Sequence, residues 1–273
     1  PTRRSSDLGA EKWVFADHLL NVPMATIATT PAEAKNIEKE KIDAAKPAFK
    51  AYAEALKFMT EHAAGLKGHA SRGPELINAA NYGYDQTVQM FADGNALFIQ
   101  QGNWAYSNIE KINPETAKNV SFIPLKMPFT DEMIQDGRTA EQINSSIIVT
   151  TGNYYAINAK VSEEQQKQAV EFLKWMEKEE NVQKWIIDSF KFIPYNVTPE
   201  MKLENPLSES IQKYLSAGQT FNDTVVGTPK TWSGEKVGTA LLEQYIGKEE
   251  WDDETLDQIA DLCVNSWKEL KAE

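Results

Sequence analysis

At 273 residues, with 41% hydrophobic and 10% aromatic content, the chain can bury a sizeable core and is long for a single domain. Lys and Arg total 28 against 40 Asp and Glu, and the resulting charge of −12 argues against nucleic acid and anionic membrane as partners. A lone cysteine, Cys263, excludes an internal disulfide, and no stretch approaches the roughly 20 apolar residues of a membrane span.

Residues 1–8, PTRRSSDL, contain no apolar run and resemble the conceptual translation of a sequencing adapter. They read as a non-native segment, and the rest as a fragment whose true start is missing. Residues 11–21 read as an amphipathic helix that ends before Pro23. In it Trp13 packs with Phe15 and Leu20, and His18 is a structural histidine rather than a catalyst. Residues 31–48 are charged and Ala-rich, a solvated helical face. From Phe49 the positions Tyr52, Leu56, Met59 and Ala63 keep helical spacing until Gly65 and Gly68 close the helix. His62 and His69 lack a third ligand, so a metal site is not expected.

Asp85 is placed to cap a helix over 86–93. Ala96 to Ile99 then reads as a buried strand, broken by Gly102. Asn103 is placed to cap the next helix, which carries Trp104, Tyr106 and Ile109. Ligands of open α/β sheets bind where strands end and helices begin, so Trp104 either offers a face to a flat apolar ligand or fills a core. Residues 119–125 read as a further strand, with Pro124 near its edge. Two β-rich runs, 147–151 and 154–158, flank a Gly152-Asn153 turn.

Ser162-Glu163-Glu164-Gln165 is a capping box, and the helix it opens carries Ala169, Phe172, Leu173 and Met176 on one stripe. A second helix aligns Val182, Trp185, Ile186 and Phe190, with Trp175 and Trp185 read as packing residues. Another helix spans 208–217, and Trp232 stands at a loop-to-helix junction. Leu256, Ile259, Ala260, Cys263, Val264, Trp267 and Leu270 form a clean amphipathic helix with Cys263 a buried thiol. The acidic run 249–254 lacks the spacing of a calcium loop and reads as a charged helix start.

No phosphate-binding loop, dinucleotide fingerprint, zinc-protease motif, Gly-x-Ser-x-Gly or Cys-x-x-Cys occurs, so neither a cofactor nor a catalytic metal is expected. Abundant carboxylates leave a two-carboxylate hydrolase open on composition alone. No carboxylate, however, is placed beside Trp104 or Trp232 as an acid/base pair.

The wording Gly102-Asn103-Trp104-Ala105-Tyr106-Ser107-Asn108-Ile109, the run Gly152-x-x-Tyr155-Ala156-Ile157-Asn158 and the Trp232 junction resemble the extracellular solute-binding proteins of carbohydrate ABC transporters, the maltose-binding-protein-like family. The resemblance covers residues 9–273. It implies an α/β, type II periplasmic-binding-protein-like fold of two lobes joined by a hinge, with the first lobe incomplete. Residues 9–148 and 209–273 would form the C-terminal lobe, and 149–208 the remaining part of the N-terminal lobe. The resemblance also implies a non-enzymatic protein that captures a sugar or oligosaccharide between its lobes and delivers it to permease subunits. Such a protein would be extracellular or periplasmic, either free or lipid-anchored, and a monomer. Trp104 and Trp232 would stack on sugar rings. Asn103, Asn153 and one of Tyr154 and Tyr155 would hydrogen-bond hydroxyls, with Trp13 and Glu11 in a secondary role. A carbohydrate-active hydrolase and a non-sugar binding protein of the same fold are the alternatives.

Overall fold

The computed structural model describes residues 4–7, 11–65, 68–69, 72–150 and 154–272. Six longer helices carry the fold: α1 Lys46–Glu61, α2 Tyr84–Ala92, α3 Tyr106–Ile112, α4 Glu163–Met176, α5 Pro206–Ser216 and α6 Asp253–Ala272. The strands are β1 Arg4–Asp7, β2 Ala64–Gly65, β3 Gly68–His69, β4 Ala96–Ile99, β5 Ile147–Val149 and β6 Thr220–Asn222.

The chain is mostly helical, and the expected α/β sheets reduce to three two-stranded pairs among the described residues. β1 runs parallel to β4 and β5 parallel to β6, while β2 and β3 form a small antiparallel hairpin. Residues 4–7, within the segment read as non-native, thus supply the partner of β4. The expected strand over 119–125 joins no ladder among the described residues, and its first residue lies in a turn. Instead the Phe122 N–H donates to Ser210 Oγ at 3.0 Å, and that hydroxyl donates to the Phe122 carbonyl at 3.1 Å. A serine of α5 takes the place of a neighbouring strand, and Pro124 brings no donor of its own. Residues 154–158 likewise join no ladder among the described residues.

The main core forms where α1 meets α6. Phe49, Tyr52 and Leu56 face Leu256, Ile259, Cys263 and Trp267, all buried, at the spacing that puts each set on one helical face. Lys46–Asp261, Lys50–Asp257 and Lys268–Asp43 pairs at 2.6, 2.8 and 2.7 Å edge this contact, and their exposure limits what each contributes. This core draws its residues from 14–143 and 221–267. A second cluster gathers α2, α3, Ile147 and α5, and a small third one holds Val182, Ile187 and Leu203.

α4 opens with the expected Ser162–Gln165 capping box, yet Met176 is its one buried residue. Trp175, read from the sequence as packing, is exposed and stacks on Phe172 with ring centroids 5.9 Å apart. Three local expectations also differ. Helical turns continue past Pro23 to Met24, because a new turn starts at Asn21 and places the proline where its missing N–H costs little. Gly83, not Asp85, precedes α2, and Asp85 lies in the first turn. Gly102 precedes the turn Asn103–Ala105, so Asn103 is inside that turn and does not cap it.

Candidate functional site

Trp104 sits just beyond the carboxyl end of β4, on the turn that leads into α3. α3 buries Tyr106 and Ile109 in the second cluster, which anchors the base of the turn while the indole stays 44% exposed. Its Nε1 donates to Gln101 Oε1 at 3.2 Å. One edge is therefore fixed while much of the side chain remains exposed.

The segment Val14–His18 forms a π-helical turn with Val14, Phe15 and Ala16 in the core. The Tyr52 hydroxyl of α1 donates to the Phe15 carbonyl at 2.6 Å and holds the turn down. His18 is thereby brought against Trp104, with ring centroids 5.3 Å apart and an interplanar angle of 53°. Trp13 also meets His18 in an edge arrangement at 4.8 Å and approaches Tyr84 at 6.4 Å. The Glu11 carboxylate accepts from Trp13 Nε1 and, at 3.2 Å, from the Tyr84 N–H. Asn108 Nδ2 donates to the Tyr84 hydroxyl at 3.1 Å. Trp104, His18, Trp13 and Tyr84 thus form one aromatic wall, with Glu11 behind it. Burial holds the His18 imidazole below its ordinary 6.5, opposed by the charges of Asp17 and Asp223.

Beside this wall the turn Trp232–Gly238 packs on Val14–His18, and Ser233 Oγ donates to Asp17 Oδ1 at 2.6 Å. Lys12 pairs with Glu235 at 2.8 Å. Asp223 follows β6 directly, and its N–H donates to the Val149 carbonyl at 3.0 Å, extending the β5–β6 pairing by one bond. The buried Asn21 fixes the chain just beyond it, accepting from the Val225 N–H at 3.0 Å while donating to the Asp17 carbonyl at 2.8 Å. Asp223 Oδ1 is buried and has no hydrogen-bond partner among the described residues.

Trp232 does not join the wall. It is 0% exposed, donates from Nε1 to the Cys263 carbonyl at 2.9 Å, and lies edge-on to Trp267 and Phe49 at 5.1 and 6.0 Å. Fully buried among these core rings, it has no face for a ligand, against the stacking role expected of it. A Trp at a loop-to-helix junction reads alike in sequence whether it faces inward or outward. Tyr154 and Tyr155 are 81% and 60% exposed, and no ring contact or hydrogen bond ties either to the Trp104 wall among the described residues. Asn103 is partly buried beside Trp104, and Asn153 lies outside the described residues.

Of the candidates named from the sequence, Trp104, Trp13 and Glu11 come together. His18, expected to be structural, joins them with Tyr84 and Gln101, and no local motif marks these residues or Asp223 in the sequence. Trp13 and His18 are five positions apart, which falls off the α-helical period but suits the wider π-turn.

The family of bacterial extracellular solute-binding proteins matches residues 12–235. No curated protein matches the chain.

Proposed function

Because the chain belongs to the bacterial extracellular solute-binding proteins, the ligand-capturing components of ABC transporters, we propose that its ligand is a sugar or oligosaccharide. The observation that carries this reading is the half-open indole of Trp104, held at one edge by Gln101 and backed by His18 and Trp13. A pyranose presents a flat C–H face, and laying it on an aromatic ring removes apolar area from water at roughly 25 cal/mol per Å².

In this reading residues 149–208 belong to a second lobe, joined by a hinge to the body that carries Trp104. Two features support the division: this stretch has a small apolar cluster of its own, and Tyr154 and Tyr155 stand clear of the main core. Closure would carry Tyr155 toward a ring already seated on Trp104. Ligand that touches both lobes only when they are shut shifts the population to the closed form, which the permease then receives. The protein acts by binding and not by catalysis.

A thermal-shift panel of neutral mono- and disaccharides on the full chain tests the proposal. Saturable stabilisation by at least one intact sugar is the expected result. Turnover of an aryl glycoside without such stabilisation would replace it with the hydrolase reading.

A further inference from the structure

We propose that Asp223 Oδ1 is the hydrogen-bond acceptor for a ligand hydroxyl at the Trp104 wall, and that the site therefore takes neutral, hydroxyl-rich molecules and turns away anionic ones. The ligand class rests on the carbohydrate reading above; the role of Asp223 is tested separately from it.

Three carboxylates come from the wall and the elements packed beside it, and two of them already accept hydrogen bonds from the protein. Glu11 accepts from Trp13 and from the Tyr84 N–H, and Asp17 accepts from Ser233. Asp223 Oδ1 is out of solvent and accepts from nothing among the described residues. A buried oxygen left in that state is costly, so an orphan of this kind favours a partner beyond the described residues.

The position of Asp223 favours a ligand as that partner. It follows the carboxyl end of β6 in the parallel β5–β6 pair, as Trp104 follows the carboxyl end of β4 in the parallel β1–β4 pair. Crevices at such strand ends are where α/β proteins hold small molecules. Asn21 ties the two places together: it accepts from the Val225 N–H two residues past Asp223 and donates to the Asp17 carbonyl, next to the His18 whose ring lies 5.3 Å from Trp104.

The charge balance sets the selectivity. Burial keeps His18 neutral, and Lys12 is engaged by Glu235, so the carboxylates meet an incoming ligand without a free cation from either. A sugar hydroxyl gains a charge-assisted bond there, whereas a uronate or phosphate meets like charge.

The test is calorimetric titration of the full chain with glucose, maltose, maltotriose and cellobiose, with glucuronate and glucose 6-phosphate as anionic probes and choline as a cationic one. The expected result is binding of at least one neutral sugar, with the anionic probes weaker by about tenfold or more. Asp223→Asn should weaken the neutral sugar by about tenfold and narrow the gap to glucuronate, while the unliganded Tm stays level or rises because no bond to the described residues is lost. Unchanged sugar affinity in Asp223→Asn overturns the role of Asp223 and leaves the carbohydrate reading standing. A fall of several degrees in the unliganded Tm also overturns it, since the oxygen would then have a structural partner. Wild-type protein that binds none of the sugars overturns the carbohydrate reading itself, and binding of choline alone overturns the neutral-ligand class.

Discussion

The indole of Trp104 occupies the space where a side chain on residue 102 would begin: a Cβ on Gly102 would lie 2.1 Å from Cζ3 and 2.3 Å from Cη2. The glycine has an ordinary φ of −96°, so room for the ring, and not backbone freedom, is what the position requires. Gly102→Ala is expected to push the exposed indole off its seat with little loss of stability, and to weaken ligand binding by about tenfold. Calorimetry and thermal melting of the same variant separate the two effects.

Trp104 and Trp232 should respond in opposite ways to truncation. Trp104→Ala removes a half-exposed ring and is expected to abolish sugar stacking while Tm barely moves. Trp232→Ala empties the space between Trp267 and Phe49, at a cost of about 3–5 kcal/mol. Trp232→Phe keeps most of the packing but strips Cys263 of its indole donor, a loss of about 1 kcal/mol. Equal losses of stability for Trp104→Ala and Trp232→Ala in denaturant melts would contradict the assignment.

His18 should leave a signature in the pH dependence of stability. Its pKa is lowered in the folded protein, chiefly by burial, while the unfolded chain titrates near the ordinary 6.5. The unfolded state therefore binds more protons between those two values. The contribution is fully present above pH 6.5 and is lost as pH falls through that value toward the folded pKa. Urea melts over this range should show His18→Gln with a flatter acid limb than the wild type.

Cys263 is fully buried between α1 and α6, and burial pushes its thiol far up. Thiolate is the reactive form, so iodoacetamide and aromatic disulfide reagents are expected to leave the native chain unlabelled. Labelling should appear only in step with unfolding; rapid modification of folded protein would place the thiol at the surface.

Helical periodicity carried much of the fold. The stripes of α1 and α6, the capping box at Ser162 and the burial of Cys263 are all visible as local patterns. Strand pairing was less legible, because whether residues 119–125 join a ladder depends on Ser210, which local patterning does not bring near. At the site, the junction around Trp104 stood out by its residue types, and Trp13 and Glu11 came with it. Trp232 was misplaced because exposure is a property of the neighbours, here Phe49 and Trp267, and not of the residue. Asp223 was invisible for the same reason: an unsatisfied oxygen shows only once its surroundings are built.

The clasp between α1 and α6 also bears on how the chain is made. α1 leaves the ribosome long before α6 exists, and among the described residues α6 makes the most extensive contact with α1. Non-local contacts of this kind come late and slowly. A molecule that works outside the cell has a membrane to cross first, and postponing closure until the distant helix arrives keeps the nascent polypeptide threadable for that journey.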